Sequence, residues 1–148
     1  MTGLNHVLTG TVIALSVKNP VLAPIIALFS HFILDAVPHF GNFTSIYAPY
    51  TRAFKRYIVI EAMSIGLILG TALIFFTSMW WLIFVCSFFA IAPDIFWLIE
   101  KRLLPKNRFR KMFYQLHQGI QWKERPWGWI IEVPYAALMI VLLLRLEI

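Results

Sequence analysis

The chain has 148 residues, enough for one domain, and is 60% hydrophobic but only 14% charged, against about 45–50% and about 25% in soluble domains. This composition excludes an ordinary soluble protein and predicts an all-α integral membrane bundle, with residues 1–148 as a single membrane domain. The net charge of +6 does not predict nucleic-acid binding: eight of the 13 Lys and Arg residues fall between Lys101 and Arg125, and three more are Arg52, Lys55 and Arg56. Basic clusters beside apolar spans are a topology signal, and they also attract lipid phosphates.

Five apolar helices are expected, two short and three longer, with one amphipathic helix on the cytoplasmic side. Leu4–Val17 is small-residue-rich and carries His6 near its start. Lys18-Asn19-Pro20 reads as a turn, and Val21–Ala36 as the second helix. At about 1.5 Å per residue neither reaches the roughly 30 Å of a bilayer core, so they span a thinned region or form a re-entrant hairpin. Pro38–Tyr50 is a loop, and Thr51 is placed to cap the next helix. From Ala62 to Pro93 there is no charge over 32 residues, more than the ~20 that one span needs. Thr77-Ser78 breaks this run into two antiparallel spans, Tyr57–Phe76 and Met79–Ile99, with Trp80 and Trp81 at the far interface. Ala62, Gly66 and Gly70 form a ladder of small residues that lets another helix approach closely. Pro93 is expected to kink the fourth helix. A surface helix follows near Arg108–Gln121, bearing His117. Pro126 suits a first helical position and opens the last span, Trp127–Leu146, with Trp122, Trp127 and Trp129 as the near-side belt. Cys86 is alone, which excludes an intramolecular disulfide. The N-terminus has neither a basic stretch nor a small-residue cleavage site, so no signal peptide is expected.

The stretch Ser30–Phe40, SHFILDAVPHF, carries the chemistry. His31 and Asp35 lie four residues apart and share one helix face, as two ligands of one metal or as an acid–imidazole pair. Pro38 ends the helix, leaving His39 free to turn back toward them. With the basic loops placed in the cytoplasm, alternation of the helices brings His6, His31, His39 and His117 into one layer with Asp35, Glu61, Asp94 and Glu132. Ionisable groups inside a membrane are costly, so they find partners. A divalent metal partners neutral imidazoles and carboxylates together, and a set of N and O donors without thiolate suits Zn, Mn or Fe. Against a metal stands a hydrogen-bonded interfacial cluster. Glu61 is expected to pair with a neighbouring cation such as Arg56, and Glu132 to serve the site.

Asn5-His6 with Thr9-Gly10, then SHFILDAVPHF, Ala92-Pro93-Asp94, LHQGIQW and Glu132 together resemble the YdjM-like and related families. These are small bacterial inner-membrane proteins described as membrane-bound metal-dependent hydrolases. Their motif style is similar to that of zinc phospholipase C and P1-type nucleases, helical enzymes in which His-x-x-x-Asp pairs hold zinc ions that hydrolyse phosphoesters. The resemblance implies His31 and Asp35 as metal ligands, joined by His6 and His39. The chain lacks the His-Arg-Gly-x-x-His-Ser stretch and the second His-x-x-x-Glu pair, so one or two metal ions are implied in place of three.

The expected function is thus a multi-pass inner-membrane hydrolase of a phosphoester or lipid headgroup bond. Its metal ligands would come from His6, His31, Asp35, His39, Asp94 and His117, with Glu132 or Asp94 as general base and Arg108 or Lys123 holding a phosphate. The alternative is a non-enzymatic membrane protein: a scaffold, a lipid-binding module or a transporter. Transport needs polar groups through the bilayer midplane, and the outer halves of the third and fourth helices offer only Thr71, Thr77, Ser78 and Ser87.

Overall fold

A computed structural model describes residues 1–41, 52–103, 108–121 and 123–146, and of 53–54, 97–103, 110, 114 and 118 the backbone alone. Thr51 as a cap, the loop through Tyr50 and Trp122 lie outside the described residues. The chain folds as helices: α1 Gly3–Val17, α2 Leu22–Asp35, α3 Arg52–Phe75, α4 Trp80–Leu103, α5 Arg108–Ile120 and α6 Trp129–Leu146. A single 3-10 turn, Thr77–Met79, joins α3 to α4 at the expected break. Among the described residues three segments are long and apolar enough to cross a membrane, Lys55–Phe75, Thr77–Phe96 and Trp129–Leu146. The two short N-terminal helices and the amphipathic α5 complete the expected set.

The bundle is built around α1, which packs against α4, α2, α6 and α3. Its small residues make this possible. A Cβ added at Gly10 would lie 2.7 Å from the Cys86 carbonyl oxygen and 2.8 Å from Ser87 Cα, so the backbones of α1 and α4 meet there. Hydroxyls bind the same crossing: Thr11 Oγ1 lies 3.1 Å from Ser87 Oγ, and Thr9 Oγ1 2.7 Å from the Tyr135 hydroxyl on α6. Such small-residue contacts with interhelical hydrogen bonds are how apolar helices associate without a hydrophobic driving force. Gly10→Val is expected to lower stability by about 1–3 kcal/mol through overpacking. Gly66→Val should not, since nothing lies within 4 Å of the Cβ it would add. Thermal unfolding of the two variants in detergent decides this; equal melting temperatures would remove the close crossing.

The loop after α1 follows the expected turn. Lys18 takes a left-handed φ of 53° and closes α1 by donating to the Ala14 carbonyl at 3.2 Å. Asn19 Oδ1 then accepts from the backbone N–H groups of Val21 and Leu22 at 3.0 and 2.9 Å, starting α2. This hairpin returns the end of α2 to the start of α1, which sets His31 and Asp35 beside His6. Ala14, Leu15, Ala23, Ala27, Leu82, Ile83, Cys86 and Ala90 form the apolar core at the other end of the hairpin.

Three expectations are corrected. Among the described residues nothing lies within 4 Å of a Cβ built at Gly66 or Gly70, so these two rungs of the α3 ladder meet no helix there; α3 packs through Leu69, Ala72 and Leu73 instead. Helix α6 begins at Trp129 and not at Pro126, because β2, Glu124–Arg125, pairs in parallel with β1, His39–Phe40, as a two-residue ladder and a turn intervenes. The loop read after Pro38 therefore starts as a strand. A side chain at Gly128 would overlap the His39 backbone, so this close approach needs glycine. Helix α4 carries Pro93 inside its Trp80–Leu103 span. The outer faces of the long helices are apolar and exposed, with Met63, Leu67 and Ile74 in one line on α3.

Candidate metal centre

Three helices deliver the site. The end of α2 supplies His31 and Asp35, α4 supplies Asp94 just after Pro93, and the last turn of α5 supplies His117. One ligand atom from each lies within 4.8 Å of the others, so this group could hold a metal ion. His31, Asp35 and His117 are buried, and Asp94 is 28% exposed.

The separations fit one ion. His31 Nε2 is 3.1 Å from His117 Nε2, 3.2 Å from Asp35 Oδ2 and 3.8 Å from Asp94 Oδ1. His117 Nε2 is 3.6 Å from Asp35 Oδ2 and 3.4 Å from Asp94 Oδ1. A tetrahedral zinc with ligands at about 2.0–2.1 Å has edges of roughly 3.3–3.4 Å, and these five separations bracket that value. The tautomer of His31 agrees: its Nδ1–H donates to the Ala90 carbonyl at 2.8 Å, which leaves Nε2 bare as a ligand. Two buried imidazoles and two carboxylates without thiolate are a chemically suitable donor set.

Around this group sit supporting residues. His6, fully buried on α1, stacks on His31 with ring centroids 4.2 Å apart and places Nε2 3.1 Å from Asp35 Oδ1. Phe113 stacks on His117 at 5.9 Å. Gln121 donates its amide N–H to Asp35 Oδ2 at 3.1 Å, and the Met1 amino nitrogen contacts Asp35 Oδ1. Among the described residues, His6 Nδ1 and His117 Nδ1 are buried without a hydrogen-bond partner.

Beside Asp94 lies a cavity of about 300 Å³. Its polar lining is His39, Tyr57, Glu61, Asp94, Gln121 and Glu124; isoleucines 58, 65, 91 and 95 supply much of the rest. His39 thus does not join the four-residue group. Its Nδ1–H donates to the Val37 carbonyl at 2.8 Å, and its Nε2 faces Glu124 Oε1 at 4.0 Å, across the strand pair that registers the two residues. Burial pushes the Glu124 carboxyl above its ordinary range and holds the His39 imidazole below its own. Both shifts run toward the uncharged forms.

Glu132 is placed elsewhere. Its Oε1 accepts from the Phe40 and Thr2 backbone N–H groups at 3.0 and 3.2 Å, and Asn5 Nδ2 lies 3.5 Å from Oε2. Those bonds use the carboxylate to join α6, α1 and β1, apart from the four-residue group. Glu61 turns inward to accept from the Leu4 N–H at 3.3 Å, so it serves the start of α1 and not the cation expected for it. Asp94 stands among the ligands. Arg108 is exposed at the far end of α5, roughly 13 Å along the helix from His117. Lys123 is half-buried beside Glu124.

Two residues of the site were not anticipated. Gln121 follows His117 by four residues, the same spacing as His31 and Asp35, and that pattern was open to reading. Glu124 sits between Lys123 and Arg125 and carries no such pattern. In comparisons with known proteins, no family model, no curated protein and no solved structure matches this chain.

Proposed function

We propose that the chain is a multi-pass inner-membrane, metal-dependent hydrolase of phosphoester bonds, with a phospholipid or other phosphorylated amphiphile as substrate. The reading agrees with the resemblance to the YdjM-like families. The observation that carries it is the set of donor separations around His31, Asp35, Asp94 and His117, five of which bracket the edge of one tetrahedral ion. Zinc suits the set best; manganese and iron come next. The positive-inside rule applied to the basic 101–125 region assigns the site to the cytoplasmic face.

A divalent ion bound there supplies an acidified water and polarises a phosphoryl oxygen. The chain does the rest. Ala90 holds His31 in the tautomer that leaves Nε2 free, while Gln121 and His6 orient Asp35. Asp94 is the exposed edge of the group and borders the cavity, so a substrate reaches the centre from that side. The isoleucines of α3 and α4 offer an apolar wall for a chain, and His39 with Glu124 lies across the cavity as an acid–base pair within reach of a leaving group.

The test is elemental analysis of the detergent-purified protein, followed by phosphate release from phosphatidic acid in mixed micelles. About one or two zinc ions per chain and hydrolysis abolished by chelator support the proposal. Metal-free protein beside an inert His31→Ala would end it, and metal without hydrolysis would favour the scaffold. Binding should also depend on pH. Imidazole ligands must be neutral, so zinc affinity should fall as pH is lowered and protons compete for the ring nitrogens. Zinc titrations from pH 5 to 8, monitored with a competing chelator, measure this; a flat profile would exclude imidazole ligation.

A further inference from the structure

Asp35 and Asp94 each turn one oxygen to His31 and His117 and the other to His6. On the first side are Asp35 Oδ2 and Asp94 Oδ1, between 3.2 and 3.8 Å from the two Nε2 atoms. On the second side, Asp35 Oδ1 lies 3.1 Å and Asp94 Oδ2 3.8 Å from His6 Nε2. We infer that the two aspartates bridge a pair of divalent cations, the second held by His6 Nε2, Asp35 Oδ1 and Asp94 Oδ2. This deepens the proposed hydrolase and rests on the first ion being bound.

Several features favour the second position. His6 is fully buried, and its Nδ1 has no hydrogen-bond partner among the described residues. The ring is thus retained in the interior by what Nε2 does. Its three donors are one imidazole nitrogen and two carboxylate oxygens, a harder set than the first, which suits manganese, iron or zinc. An ion at the second position takes the place that the Met1 nitrogen holds on Asp35 Oδ1. Asp94 also borders the cavity, so a phosphoryl group entering there meets both ions. Paired ions about 3.5–4 Å apart stabilise the attacking and leaving oxygens of an in-line displacement.

The test is to load the detergent-solubilised full chain with Mn(II), count manganese per chain, and record its electron paramagnetic resonance spectrum. Two manganese ions per chain with a spin-coupled spectrum are expected. His6→Ala and His6→Gln should each halve the stoichiometry and give the six-line spectrum of an isolated ion. The Gln variant guards against loss of packing, and circular dichroism checks both folds. One uncoupled manganese in wild type and both variants would overturn the bridged pair while leaving the first centre intact. No manganese and no zinc in any form would overturn both.

Discussion

Asp35→Asn is expected to leave the bundle folded and to lose the metal. Asp35 touches every imidazole of the centre: Oδ2 lies 3.2 Å from His31 Nε2 and 3.6 Å from His117 Nε2, while Oδ1 lies 3.1 Å from His6 Nε2. Losing even an outer partner of a metal ligand costs about 10–100-fold in affinity, and a bridging ligand should cost more than that. The amide keeps the shape and one acceptor oxygen for Gln121, so helical content should survive. Asp35→Ala goes further. It leaves the Gln121 amide and the buried imidazoles without their acceptor, at about 1–3 kcal/mol for each group stranded, so it should melt lower as well. Zinc content after dialysis and far-ultraviolet circular dichroism, measured side by side, separate the two effects. Asp35→Asn that binds zinc as tightly as wild type would show that the cluster is a hydrogen-bonded network and not a metal centre.

What could be read in advance was depth; what could not was direction. The four-residue spacing of His31 and Asp35 placed both on one face, and the polar turn at Lys18–Pro20 folded α2 back so that His6 met them. Counting apolar residues placed Asp94, at the end of a charge-free run, at the level of these residues. Glu132 is the counterexample. It sits at a comparable depth, two turns past Pro126, but its azimuth on α6 points to the start of α1 and to Phe40. The rotation of a helix about its axis is set by packing against neighbours, and α6, apolar on all sides, carries no strong stripe to reveal it. The same limit hid the empty ladder on α3, where small residues indicate that a close approach is possible but not that a partner exists. Glu124 was hidden differently. Its place depends on a two-residue ladder with His39, too short to show any alternation, and on the bare backbone at Gly41 and Gly128, where side chains would strike Glu124 and His39. Gln121 was legible by spacing, but a neutral amide in a basic stretch does not advertise a site.

Glu132→Ala is expected to destabilise the protein strongly, and Glu132→Gln hardly at all. The carboxylate is buried, and its Oε1 is the acceptor for two backbone donors, Thr2 N–H ahead of α1 and Phe40 N–H in β1. Alanine leaves both donors buried without a partner, at about 1–3 kcal/mol each. It also removes an anion from the positive end of α1, worth about 0.3–1 kcal/mol. Glutamine keeps an oxygen in the Oε1 position. Its new N–H faces the side-chain amide of Asn5, whose Oδ1 has no partner among the described residues. The glutamine variant, which loses only the charge at the start of α1, worth about 0.3–1 kcal/mol, should therefore melt just below wild type and match it in zinc content and any phosphate release, while alanine melts well below both. A general base at Glu132 predicts the reverse for glutamine, with a normal fold and no turnover. Because Phe40 follows His39 directly, the alanine variant should also loosen the His39–Glu124 pairing. Hydrogen exchange at residues 39–41 should then rise with Glu132→Ala and stay low with Glu132→Gln; fast exchange in both would show that Glu132 does not anchor the strand.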